Sequence, residues 1–214
     1  MELFISEAEI EDASMIIDYL NQVGGESDNL TYGLNECYLN EFEEMEVIQD
    51  FIDQENSLLL CGFIDDELVS LLSIQGEQKE RLKHIGHFAI TVKKEYWNMG
   101  IASMMMEEAL EMIKETSLKV LDLEVKEDNL SAINLYKKFN FQEIGRYPQM
   151  FNVNQKYYDA LLMNLYIDLK SKIRYNHICH YNRRLRTMSG PEGSSIKKYR
   201  LCVMVFIFRG KKDE

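Results

Sequence analysis

The chain has 214 residues, 46% of them apolar, with ten Phe and twelve Tyr, enough to fill one sizeable core and leave an appendage beside it. No apolar run approaches the roughly 18 residues of a membrane span, and residues 1–20 lack a signal peptide's basic and apolar regions, so no membrane partner and a cytoplasmic location are expected. The net charge of −12 divides unevenly: residues 1–169 carry 12 Lys/Arg against 33 Asp/Glu, and residues 170–214 carry 12 against 3. A body this acidic repels nucleic acid and attracts cations, which suits a cationic amine such as a polyamine, an aminoglycoside-like molecule or a basic peptide end. Cys37, Cys61, Cys179 and Cys202 show no paired spacing and read as reduced thiols.

Taken in order, Glu2–Ser6 predicts a strand and Glu7–Val23 a helix, with Ala8, Ile10, Ala13, Ile16, Ile17 and Leu20 on one apolar stripe. Gly24-Gly25 is expected to stop that helix. After the polar loop Glu26–Gly33, Glu41–Glu55 predicts a second helix with Phe42, Met45, Ile48, Phe51 and Ile52 inward. Ser57–Ile64 and Glu67–Ile74 predict a hairpin turning at Asp65-Asp66, and His84–Val92 a third strand. Alternation in that strand puts His84, Gly86, Phe88, Ile90 and Val92 on one face and Ile85, His87, Ala89 and Thr91 on the other. His84 and His87 therefore oppose each other, and with no further ligand cluster visible no metal is expected.

The third strand runs into Val92–Ser103, V-K-K-E-Y-W-N-M-G-I-A-S, and then into a helix-type run, Ile101–Lys114. A strand entering a helix through a glycine turn leaves the first N–H groups of the helix unpaired at the positive end of its dipole. That is a site for a phosphate or pyrophosphate, and Gly100, with no Cβ, lets the anion come close. Met104, Met105, Met106 and Met112 read as core filler. Lys119–Val125 predicts the next strand and Asn129–Phe139 the next helix, on which Asn129, Ile133 and Tyr136 share a face. Phe141–Ile144 and Tyr158–Tyr166 predict the closing strands.

Two motifs, V-x4-W-x2-G-I-A from Val92 and N-x2-A-x2-L-Y-x-K-x-x-F from Asn129, stand in an order and spacing that resembles the GNAT superfamily of N-acetyltransferases, over roughly residues 1–167. The resemblance implies an α/β fold: a mixed, mostly antiparallel central sheet with splayed strands 4 and 5 and flanking helices. It implies acetyl-CoA as cosubstrate, held by Ile90, Thr91, Val92, Trp97, Asn98, Met99, Gly100, Ile101, Ala102, Ser103 and Asn129. It places Tyr136 beside the cofactor's sulfur as general acid. His87 falls where relatives often carry a carboxylate that handles the acceptor's proton, directly or through a water. Glu26 and Asp28 fall in the segment that sets acceptor specificity. The chain departs from the family pattern at Trp97, usually Arg or Gln, and at Asn140, usually Gly. Backbone N–H groups hold the anion in either case, and Asn tolerates the left-handed conformation after a helix.

The expected activity is transfer of acetyl from acetyl-CoA to a primary amine, on a small cation or a peptide, by direct attack without an acyl-enzyme; no Ser or Cys triad is visible. The alternatives are a CoA- or acyl-CoA-binding sensor without transfer activity and an acetyltransferase of protein N-termini. Residues 1–169 form the expected catalytic domain and 170–214 a basic appendage. Within it, Met188–Ser195 has linker composition, Tyr199–Phe208 has β character, and His177, Cys179 and His180 are too few for a zinc site. The appendage is open to three readings: an edge strand on the body or on a second copy in a homodimer, a basic arm on the acidic body, or sequence foreign to the native protein. Docking by charge and strand pairing is the reading preferred.

Overall fold

The computed structural model describes residues 2–167, and the readings that fall on 170–214 lie outside the described residues. Within them the chain runs β1 (Phe4–Glu7), α1 (Ala13–Glu26), α2 (Glu41–Asp53), β2 (Leu58–Ile64), β3 (Glu67–Gly76), β4 (Ile85–Val92), α3 (Ile101–Met112), β5 (Val120–Lys126), α4 (Leu130–Lys138), β6 (Gln142–Val153) and β7 (Lys156–Tyr166). The strands form one sheet in the order β1-β2-β3-β4-β5-β7-β6. Every pairing is antiparallel except β4 with β5, which the helical crossover α3 makes parallel. Side chains alternate across the sheet: Leu58 and Leu60 join the core under α3 and α4, while Leu59 and Cys61 join the core under α1 and α2.

The feature that positions the site is where β4 and β5 stop pairing. Their register is Ile85 with Val120, Gly86 with Leu121 and His87 with Asp122, and it ends there. Beyond His87 and Asp122, among the described residues, β4 pairs with β3 alone and β5 with β7 alone. The expected splay of strands 4 and 5 is thus present, and it leaves unpaired backbone along both sides of a gap.

Several local expectations are corrected. Helix α1 begins at Ala13, after a 3-10 turn at Ile10–Asp12 in which Asp12 accepts from the Glu9 N–H at 2.9 Å. It also runs through Gly24-Gly25 instead of stopping there. Gly24 answers to packing: a Cβ on it would lie 2.4 Å from the Gly33 carbonyl oxygen, so the glycine lets the following loop close onto the helix. In α2 the buried face is Glu44, Val47, Ile48 and Phe51, whereas Phe42, Met45 and Ile52 are exposed. Apolar residues lie on both sides of this helix, and packing against α1 and β2 chose the other stripe. The Asn40 cap, whose side chain accepts from Glu43 N–H at 3.1 Å, fixes where α2 begins.

The closing strand β6 runs to Val153, nine residues past the expected Ile144. Pro148 hides it in the sequence, but β6 is an edge strand, where a proline costs no ladder bond. Two turns follow their chemistry. Asp65-Asp66 and Asn154-Gln155 both take positive φ at two consecutive positions, the geometry of tight hairpins. Asn140 is left-handed with φ 66°, as its place after α4 requires. Met105 and Met106 are fully buried core.

Candidate active site

A cleft of about 730 Å³ follows the gap between β4 and β5 and extends to the start of α3 and α4. Its lining includes Ile90, Thr91, Val92, Trp97, Asn98, Gly100, Ile101, Ala102, Ser103 and Asn129, with His87, Glu26 and Tyr136. Met99 and Asp28, both expected at the site, are exposed and outside the lining.

At the α3 end, Gly100 is the N-cap of the helix with φ +83°, and a Cβ there would meet nothing within 4 Å. The glycine thus serves both the left-handed backbone and an open space in front of the helix. The first i to i−4 bond of α3 runs from Met104 N–H to Gly100 O at 3.1 Å, so the helix itself gives no partner to the N–H groups of Ile101, Ala102 and Ser103. Trp97 braces the turn, its indole N–H donating to the Val92 carbonyl at 2.8 Å. Lys138 reaches over from α4, with Nζ 3.4 Å from Ser103 Oγ, and adds a cation at the same helix end. An anion cradle with open space in front of it fits a pyrophosphate. We predict that Gly100→Asp, which keeps a residue tolerant of the left-handed region, weakens acetyl-CoA binding at least tenfold by calorimetry, about 1.4 kcal/mol. Unchanged affinity would remove the turn from the cofactor site.

Thr91 contributes backbone more than side chain. Its hydroxyl is buried, 3.0 Å from the Tyr19 hydroxyl, and its carbonyl accepts from Ser70 Oγ at 2.8 Å. Asn129 caps α4, its side-chain oxygen accepting from Ala132 N–H at 3.3 Å.

Tyr136 approaches the gap from the α4 side. It is buried, stacked edge-on to Phe88 at 6.1 Å between centroids and tilted against Phe141 at 5.6 Å. Burial pushes its phenol above the ordinary value, so it stays protonated at neutral pH.

From the opposite face, the α1/α2 side, come His87 on β4 and Asp122 and Glu124 on β5. Asp122 and Glu124 are two apart on one strand and so share a face. His87 Nδ1 lies 2.5 Å from Asp122 Oδ1, and its Nε2 lies 3.5 Å from Glu77 Oε1. Burial pulls the imidazole pKa down, but the bonds to Asp122 and Glu77 outweigh it and the net shift is upward. Since the folded value is raised, the ring's contribution to stability is full below its unfolded value near 6.5 and is lost as pH climbs through the folded one. The Glu124 carboxyl is also pushed up, first by its partial burial in the cleft and then by Asp122, with His87 opposing.

Sequence reading missed Asp122, Glu124, Glu77 and Lys138. Polar residues at alternate positions of the apolar run Val120–Val125 were the available signal for the first two. Glu77 and Lys138 are brought in only by the fold. Glu26 sits at the rim, where its carboxylate accepts from Lys94 N–H at 2.7 Å and from Gln22 Nε2 at 2.8 Å.

Among the described residues the sheet thus parts at its one parallel pair, with a helix end of unpaired N–H groups on one side of the gap and titratable groups on the other. Residues 28–141 match the Acetyltransferase (GNAT) family, and the chain belongs to it. An acetyltransferase of the GNAT family from Streptococcus pneumoniae superposes with TM-score 0.75 at 31% identity, covering 78% of this chain and 100% of that one. The Salmonella typhimurium protein yncA, solved with its cofactor acetyl-CoA, shares the fold with TM-score 0.68 at 12% identity, over 78% of this chain and 94% of its own. In sequence the chain is 36% identical over 106 residues to the L-amino acid N-acetyltransferase AaaT of Escherichia coli, over 49% of this chain. It spans 65% of that relative's length.

Proposed function

We propose that the chain transfers acetyl from acetyl-CoA to a primary amine by direct attack within a ternary complex. The supporting observation is the gap itself, which is reached by Tyr136 from the α4 face and by Glu124, Asp122 and His87 from the α1/α2 face. Acetyl-CoA supplies an acetyl thioester. The turn at Asn98–Ser103 and Asn129 hold the cofactor, and the unpaired edge of β4 between Phe88 and Val92 offers N–H groups to its carbonyl oxygen.

An alkyl ammonium, with a pKa of about 10.4, must lose a proton before it attacks. Glu124 takes that proton in this reading, directly or through a water. Its raised carboxyl pKa favours Glu124 as a base, since a weaker conjugate acid belongs to a better proton acceptor. His87, the base suggested by the sequence, has carboxylates at both ring nitrogens, which favours its cationic form. It serves to hold Asp122 and pin the two strands where they part. Tyr136 donates its proton to the departing thiolate. The amine thus gives a proton on one face of the gap and the thiolate gains one on the other, with no covalent protein intermediate.

Glu124→Gln keeps shape and removes the base. We expect kcat/KM to fall about 10²-fold, the low end of what general base catalysis supplies. Acetyl-CoA affinity should be unchanged, and the acidic limb of the pH profile that Glu124 sets should disappear. Wild-type kcat/KM in this variant would return the base role to His87 or to solvent.

A further inference from the structure

The cleft sorts its charges. The carboxylates that line it are Glu26, Asp122, Glu124 and Asp128, and among the described residues no Lys or Arg lines it. The nearby cations are engaged elsewhere. Lys126 is buried, 2.6 Å from Asp128 and 3.7 Å above the Tyr158 ring. Lys93 is buried against Glu67 at 2.6 Å. Lys138 stands at the α3 turn, where the cofactor phosphates belong. Lys94 has its ammonium 6.0 Å above the Trp97 ring, at the turn before α3. His87 is flanked by Asp122 and Glu77. Lys138 thus serves the α3 turn, Lys126 and Lys93 are taken up by ion pairs, and the lining of the gap keeps a surplus of carboxylates. Lys126 balances Asp128, and His87 is shared by Asp122 and Glu77, so a substrate carboxylate brought there would face Glu124 and Glu26 with no lining Lys or Arg to pair with, and like charges repel. A second ammonium would instead find a partner.

We propose that the acceptor is a small di- or polyamine with no carboxylate, and that free α-amino acids are refused. This rests on the acetyl-transfer reading above. It separates the chain from AaaT, whose name specifies an L-amino acid acceptor.

Putrescine and ornithine test it as a matched pair, because ornithine is putrescine with one added carboxylate. Each is titrated by calorimetry into the full-length protein saturated with CoA, which binds the acceptor without turnover, and each is then assayed with acetyl-CoA. The expected result is at least tenfold tighter binding of putrescine, a gap that narrows with added salt and in Glu124→Gln, and the same order in kcat/KM. Equal or tighter binding of ornithine overturns the proposal, as does failure of both while a neutral peptide N-terminus binds. Preferential putrescine binding without acetyl transfer supports the charge selection and overturns the transfer reading. Preferential acetylation of ornithine does the reverse.

Discussion

Tyr136→Phe is expected to lose about 10²-fold in kcat while acetyl-CoA affinity and fold survive. The ring fills the space between Phe88 and Phe141, and the substitution keeps it, so packing is preserved. What is removed is the hydroxyl. Burial holds that phenol protonated through the whole neutral range, so the donor always carries its proton, although full transfer to a thiolate, whose thiol has a pKa near 8.5, runs uphill. A thiolate can also leave without full protonation, which is why the expected loss lies at the low end of the general acid range of about 10²–10⁴. Wild-type kcat, measured where chemistry limits the rate, would remove Tyr136 from the reaction. A loss of acetyl-CoA affinity instead would make it a packing residue.

The second large effect lies outside the site. Glu44 on α2 is 1% exposed, and neither carboxylate oxygen has a hydrogen-bond partner. Burial alone pushes its pKa from 4.5 up to about 7. The folded carboxyl therefore holds its proton more tightly than the unfolded one. Its contribution favours folding most below about 4.5, and stability falls as pH climbs from there toward 7. The difference corresponds to about 3 kcal/mol across that window. Glu44→Met, which fills the same space with a flexible apolar chain, should raise stability by a comparable amount near pH 8 and by less near pH 5. Thermal melts at both pH values decide it; an equal or negative change at the higher pH would show that the carboxylate is solvated or paired in solution.

How far the sequence could be read follows from the range of the interactions involved. The turn at Gly100 was legible because glycine, the strand before it and the helix after it all lie within a few residues. The same holds for Asn140 and for Asp65-Asp66, where local backbone conformation decides. The face of α2 was not legible. Phe42, Met45 and Ile52 give as good an apolar stripe as Val47, Ile48 and Phe51, and packing on α1 and β2 selects between them. Gly24-Gly25 misled for a related reason: in the sequence it looks like a stop, and only its contact with Gly33 shows a close approach. At the site, Tyr136 came from a local motif. Asp122 and Glu124 required knowing that β5 lies parallel to β4 and parts from it immediately past His87, a pairing between residues 35 apart in the chain.

The central claim is that acetyl leaves acetyl-CoA for an amine in the β4–β5 gap without resting on the protein. Release of CoA thiol from acetyl-CoA on addition of a primary amine, followed together with the mass of the amine product and of the intact protein, tests it most directly. The account predicts thiol and N-acetylated amine in equal amounts, and no acetyl on the protein when the amine is withheld. Tight acetyl-CoA binding with no thiol release for any amine, or an acetylated protein that passes its acetyl on, would contradict it.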